Sequence, residues 1–260
     1  MEKAGNNEIV RPKEKEFSYE HFYMRDEKYQ QLVEKFPNYR GMCWVASLAM
    51  AHQMLYPDKD QPSVIDEVFR ATYEAGGEEF RAKLANILND SQERRHALGK
   101  TGLRLDYSLF DLNTAETDAL ILSKLPEVRE ALNEIMAQHN LGIKISYVPV
   151  LLGPGYKDRY YEKLINSMNN DNIPLITMSL INIKTKEKWG HAQVISGYRE
   201  NILIISDPEN MKPEALLKEN FLKGLESDPT TYYQLKSSAD VNIYGRNNIE
   251  MNGFLVVEKS

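Results

Sequence analysis

Apolar residues in the first half of the chain recur at three- and four-residue spacing, whereas those in the second half fall into short runs rich in β-branched residues. The helical pattern is clearest from Cys43 onward. There Trp44, Val45, Leu48, Ala49, Met54 and Leu55 predict a helix with a buried stripe, ending near Tyr56 ahead of Pro57-Asp58. Pro62-Ser63 opens a second predicted helix, with Val64, Ile65, Val68, Phe69 and Tyr73 on its apolar face, until Gly76-Gly77 stops it. A third helix is predicted from Glu78 to about Leu88 and another from Val128 to His139. Leu141-Gly142 then closes the helical half. Ile143 to Leu152 predicts a strand and Asp158 to Met168 a helix. Pro174 to Ile183, His191 to Tyr198 and Ile202 to Ser206 read as three strands of an antiparallel meander, with Arg199-Glu200-Asn201 as a hairpin turn. Pro213 to Leu225 predicts a helix and Gly253 to Glu258 a final strand.

Residues 1–17 are polar, charge-mixed and nearly devoid of apolar side chains, so they are expected to be disordered. Residues 18–260 are expected to form a single domain with a helical lobe over about 18–140 and a β-rich lobe over about 141–260. The fold class predicted is therefore α+β. No apolar run approaches the length of a membrane span, and nothing near the N-terminus resembles a Sec signal. A net charge of −6 argues against a general nucleic-acid binder.

The chain has one cysteine, which rules out an intrachain disulfide and a multi-cysteine zinc site and fits a reducing compartment. The expected location is the cytoplasm, or a host cell reached by a non-Sec secretion route. Cys43 stands where the turn-like segment Phe36-Pro37-Asn38-Tyr39-Arg40-Gly41 gives way to the helical pattern. At a helix start the unpaired N–H groups and the helix dipole favour a thiolate. Of five histidines, His191 is set apart by its place at the start of a strand, where a side chain can project from a rigid edge. Asp207 ends the paired strand sixteen residues later, so a hairpin returns it beside His191. The three make a nucleophile, a base and a group that fixes the base's tautomer.

At these residues the sequence resembles the papain-like cysteine peptidases. Gly41-Met42-Cys43-Trp44-Val45-Ala46-Ser47 is similar to the family's cysteine signature, His191-Ala192 with Gly197-Tyr198 to its histidine strand, and Asp207 falls where the third member is expected. Aspartate followed by Pro208, in place of the asparagine of papain itself, is more similar to bacteriocin-processing peptidases and bacterial effector proteases of that superfamily. The resemblance implies a papain-like fold with the active site in the cleft between a helical and an antiparallel β-rich lobe. It also implies acyl transfer through Cys43, His191 and Asp207, without a metal or cofactor. Where the family commonly has an oxyanion glutamine this chain has Pro37, so Asn38 is the expected side-chain donor beside the Cys43 N–H. Trp189 is expected to flank the site, and Trp44, directly after the nucleophile, is grouped with it and Asn38 as an oxyanion or substrate-binding residue.

The activity expected is a cysteine protease acting on a protein or peptide, with a host protein as one such target. The same chemistry also serves a glutamine deamidase or a transglutaminase, since only the acyl donor and acceptor differ. A non-enzymatic interaction protein with a buried structural cysteine is the alternative from another class.

Overall fold

The computed structural model describes residues 14–24, 26–27, 42–59, 67–68, 70–71, 126–182, 188–225, 233–236, 243–249 and 253–260. Its first helix, α1 (Met42–Leu55), starts where the sequence pattern starts and ends with only Tyr56 between it and Pro57-Asp58. The expected single stripe is too narrow a description, because every residue from Cys43 to Leu55 is buried. The helix contains no acid and no lysine or arginine, as a helix surrounded by protein requires. Its polar side chains are matched individually. Ser47 Oγ donates to the Ala192 carbonyl (3.1 Å), His52 Nε2 lies 2.9 Å from the Leu141 carbonyl, and Gln53 Oε1 accepts the Glu20 N–H at 2.9 Å.

Residues 67–68 and 70–71, within the second predicted helix, are helical. The third predicted helix lies outside the described residues. Helix α2 (Pro126–Gln138) opens with proline, which needs no N–H at a helix start, and buries Val128, Ala131, Leu132 and Met136.

The described strands form one antiparallel sheet of nine members. Its principal path runs β2 (Ile143–Pro149), β9 (Gly253–Lys259), β3 (Ile173–Asn182), β4 (Lys188–Arg199), β5 (Ile202–Ser206) and β6 (Glu214–Leu217). The meander expected from the sequence is its β3-β4-β5 part, and the two-residue turn between Arg199 and Ile202 holds Glu200 at φ 48. Three strands lie off this path: β1 (Glu14–Glu16) pairs with β4, β8 (Ile243–Ile249) with β3, and β7 (Tyr233–Lys236) with β8. Most of the N-terminal stretch expected to be disordered is outside the described residues, but its end, Glu14–Glu16, is a paired strand.

Alternation along the strands divides the apolar residues between the two faces of the sheet. Ile143, Ile145, Ile173, Leu175, Ala192, Val194, Leu255 and Val257 join the core built on α1 and α2. Ile176, Met178, Ile195, Leu203, Ile205, Phe254 and Val256 join a second core with Tyr160 and Leu164 of α3 (Tyr156–Asn169) and Phe221 of α4 (Lys218–Lys223). Helices thus cover both faces, which is why β9 reads as a continuous apolar run, Phe254 to Val257.

The expected helix over Pro213 to Leu225 is corrected. Its first part is β6, paired to β5 from Ile202↔Leu217 to Ile205↔Glu214, and only Lys218–Lys223 is helical. Glu214-Ala215-Leu216-Leu217 are good helix formers, but the unpaired edge of β5 supplies backbone partners that outweigh propensity. At the opposite edge, the Asn133 side chain of α2 accepts the Ile145 N–H (2.8 Å) and donates to the Ile145 carbonyl (3.0 Å). One side-chain amide thus caps part of the outer edge of β2. No helix among the described residues is long and apolar enough to cross a membrane.

Candidate active site

Cys43 is the second residue of α1, so its N–H is among the four at the helix start that have no intrahelical acceptor. The residue is buried, with 8% of its surface exposed, and its thiol is hydrogen-bonded to the His191 side chain. His191 lies in β4 opposite Met178 of β3 and is 3% exposed. Its Nε2 is 2.8 Å from Asp207 Oδ1, which leaves Nδ1 for the thiol. Three groups from the start of α1, the first half of β4 and the end of β5 therefore converge.

Asp207 is fully buried and tightly held. Its Oδ1 also accepts the Glu209 N–H at 2.9 Å, and its carbonyl accepts the Asn210 N–H at 3.0 Å, so the carboxylate sits in a closed Asx-type turn. The electrostatics follow from burial and pairing. Desolvation opposes a charge on His191, but the carboxylate of Asp207, through its charge and its hydrogen bond, and the Cys43 sulfur outweigh it. The imidazole pKa is held well above the ordinary histidine range. The arrangement can present a thiolate beside an imidazolium whose ring is fixed from behind.

The remaining predicted site residues stand differently. Trp44 is 1% exposed and packed within the α1 core. Trp189 lies in β4 opposite Leu180, two residues before His191, and its side chain is outside the described part. Asn38 lies outside the described residues altogether.

Residues 17–24, outside the predicted site, bind the bulge and the turn on either side of it. Gly197 permits this approach, since a Cβ there would lie 2.6 Å from the Lys15 carbonyl oxygen. The adjacent bulge at Ser196, between Ile195↔Ile205 and Gly197↔Ile204, presents its carbonyl to the Phe17 N–H (2.9 Å). Beyond it, the Tyr19 hydroxyl joins those of Ser196 and Ser206, Glu20 bonds to Gln53 of α1, and Phe22 enters the α1 core. His21 Nε2 lies 2.7 Å from the Asn210 carbonyl, and the Met24 N–H donates to the Pro208 carbonyl at 3.0 Å. The only sequence signal was the aromatic enrichment after Phe17. The partners of the Tyr19 and His21 side chains are more than 170 residues away.

Compared with known proteins, the sequence matches no family model and no curated protein.

Proposed function

We propose that this protein is a papain-like cysteine protease in which Cys43, His191 and Asp207 form the catalytic triad. The observation that carries the reading is the buried relay itself: thiol to imidazole, and imidazole Nε2 to a fixed carboxylate at 2.8 Å. A cysteine serving only to fill space has no need of a charged, oriented histidine behind it. On this reading α1 supplies the helical wall of the active-site cleft, and the end of the sheet where β4 begins and β5 finishes supplies the other.

Cys43 Sγ attacks the carbonyl carbon of the scissile amide, forming a C–S bond and a tetrahedral oxyanion that the Cys43 N–H is placed to receive. The C–N bond breaks as His191 gives its proton to the departing amine. Water then adds to the thioester with His191 as base, and release of the acid restores the thiolate and the imidazolium. Asp207 keeps its charge throughout and fixes the ring.

The test is incubation with an unstructured protein such as casein, followed by mass spectrometry, with Cys43→Ala as control. New termini that depend on Cys43 are the expected result. A gain of about 1 Da at glutamine without cleavage replaces the protease reading with a deamidase. No change in mass, together with alkylation of Cys43 no faster than that of a free cysteine, removes the enzyme reading.

A further inference from the structure

Asp207 can orient His191 only if the turn that carries it, residues 207–210, is itself fixed. Within the turn this is done by Glu209 and Asn210. From outside, its described support comes from the segment 19–24, on three sides. Tyr19 meets Ser206 immediately before the turn, the Met24 N–H binds the Pro208 carbonyl, and His21 reaches the carbonyl of Asn210, the residue whose N–H closes it. The same segment is anchored to the nucleophile helix through Glu20 and Gln53 and through the buried Phe22. It therefore ties the element carrying Cys43 to the element carrying Asp207.

His21 is the polar side chain in this tie that reaches the turn's last residue. An Asn210 carbonyl can only accept, so Nε2 carries the proton and the ring is the neutral Nε2–H tautomer. Among the described residues the buried Nδ1 has no partner, consistent with a neutral ring. Burial disfavours its protonation more than the neighbouring Asn210 and Asp207 groups favour it.

Resting on the protease reading above, we propose that His21 is a positioning residue for the triad: its Nε2–H fixes the Asn210 carbonyl, hence the turn bearing Asp207, hence the ring of His191 that faces Cys43. Within the segment ahead of the nucleophile helix, His21 is thereby linked to the triad through the turn, whereas Phe22 anchors the segment in the α1 core.

The experiment is the pH profile of Cys43 alkylation by iodoacetamide in the full chain, for the unaltered protein and for His21→Ala, His21→Gln and Phe22→Ala. Glutamine places an amide N–H near the position of Nε2. Phe22→Ala weakens the same segment without touching the turn. The unaltered protein is expected to be alkylated faster than a free cysteine near pH 6. His21→Ala should move the acid limb upward by about one pH unit and so slow alkylation near pH 6 about tenfold. His21→Gln should stay within about threefold of the unaltered protein, and Phe22→Ala should lower Tm without moving the limb. An acid limb present in the unaltered protein and unmoved by His21→Ala overturns the inference alone, as does an equal displacement in Phe22→Ala. Alkylation of the unaltered protein like that of a free thiol overturns the thiol–imidazole reading, and the inference falls with it.

Discussion

His191 and Asp207 are sixteen residues apart in sequence and 2.8 Å apart in space, with 3% and 0% of their surfaces exposed. The hairpin between them achieves this by a two-residue turn after Arg199 and a bulge at Ser196. Asp207→Asn keeps the shape and removes the charge that holds the imidazole pKa up. On the proposed protease reading, activity should fall by about two to four orders of magnitude; independently of that reading, the His191 ring should titrate at lower pH by NMR. Loss of less than about tenfold would mean that Asp207 does not orient the base.

Another buried histidine should respond to pH in the opposite sense from His191. His52 has no exposed surface, and burial, set against its bond to the Leu141 carbonyl, lowers its pKa to about 4. Between about pH 6.5 and 4 the unfolded chain binds this proton and the folded chain does not, so stability falls as pH drops through that window, by up to about 3 kcal/mol. For His191, whose pKa is raised, the contribution is present below about pH 6.5 and is lost as pH rises through the folded value. Urea unfolding of the unaltered protein and of His52→Gln at pH 7 and pH 5 separates the two. The variant keeps a donor for Leu141 and should show a distinctly smaller loss on acidification; an equal loss in both would clear His52.

Gly197 has a steric task. A methyl group there would meet the Lys15 carbonyl at 2.6 Å, backbone against backbone, with no flexible side chain to yield. Gly197→Ala should therefore push the β1 segment off β4, at a cost of about 1–3 kcal/mol, and expose residues 14–24 to limited proteolysis. Unchanged cleavage kinetics would show that the sheet absorbs the methyl elsewhere.

Asn133 should be intolerant of near-isosteric change. Its amide satisfies both the donor and the acceptor of Ile145 on the outer edge of β2. Asn133→Leu should cost about 2–3 kcal/mol in chemical denaturation, and Asn133→Asp should not rescue it, because a carboxylate oxygen would then face the Ile145 carbonyl. Equal stability of Asn133→Asp and the unaltered protein would show that water replaces the lost donor.

Some of this was legible in the sequence because local chemistry decides it. Met42 starts α1 just after Gly41, and Ile202–Ser206 has the predicted bounds because a tight turn precedes it and Asp207-Pro208 follows. The return of Asp207 beside His191 was legible from the length of the hairpin, but the bulge at Ser196 that sets its register and the approach of Cys43 from α1 are not displayed by the sequence. β6 was misread because its residues favour a helix in isolation, and the vacant edge that recruits them belongs to another strand. The segment from Tyr19 to Met24 was passed over for a related reason: its hydroxyl and imidazole acquire roles only from Ser196, Ser206 and Asn210, far along the chain.

The position of β9 bears on the order of events during synthesis. It follows every other strand of the sheet in sequence, yet lies between β2 and β3, paired with β2 from Ile143↔Lys259 to Pro149↔Gly253 and with β3 from Ile173↔Val257. Until Lys259 has left the ribosome, β2 and β3 have a gap between them, and the α1-side core lacks Leu255 and Val257. Closure of such distant pairings is slow. A nascent chain can therefore display Cys43 and His191 long before β9 completes the sheet that holds them in a common frame.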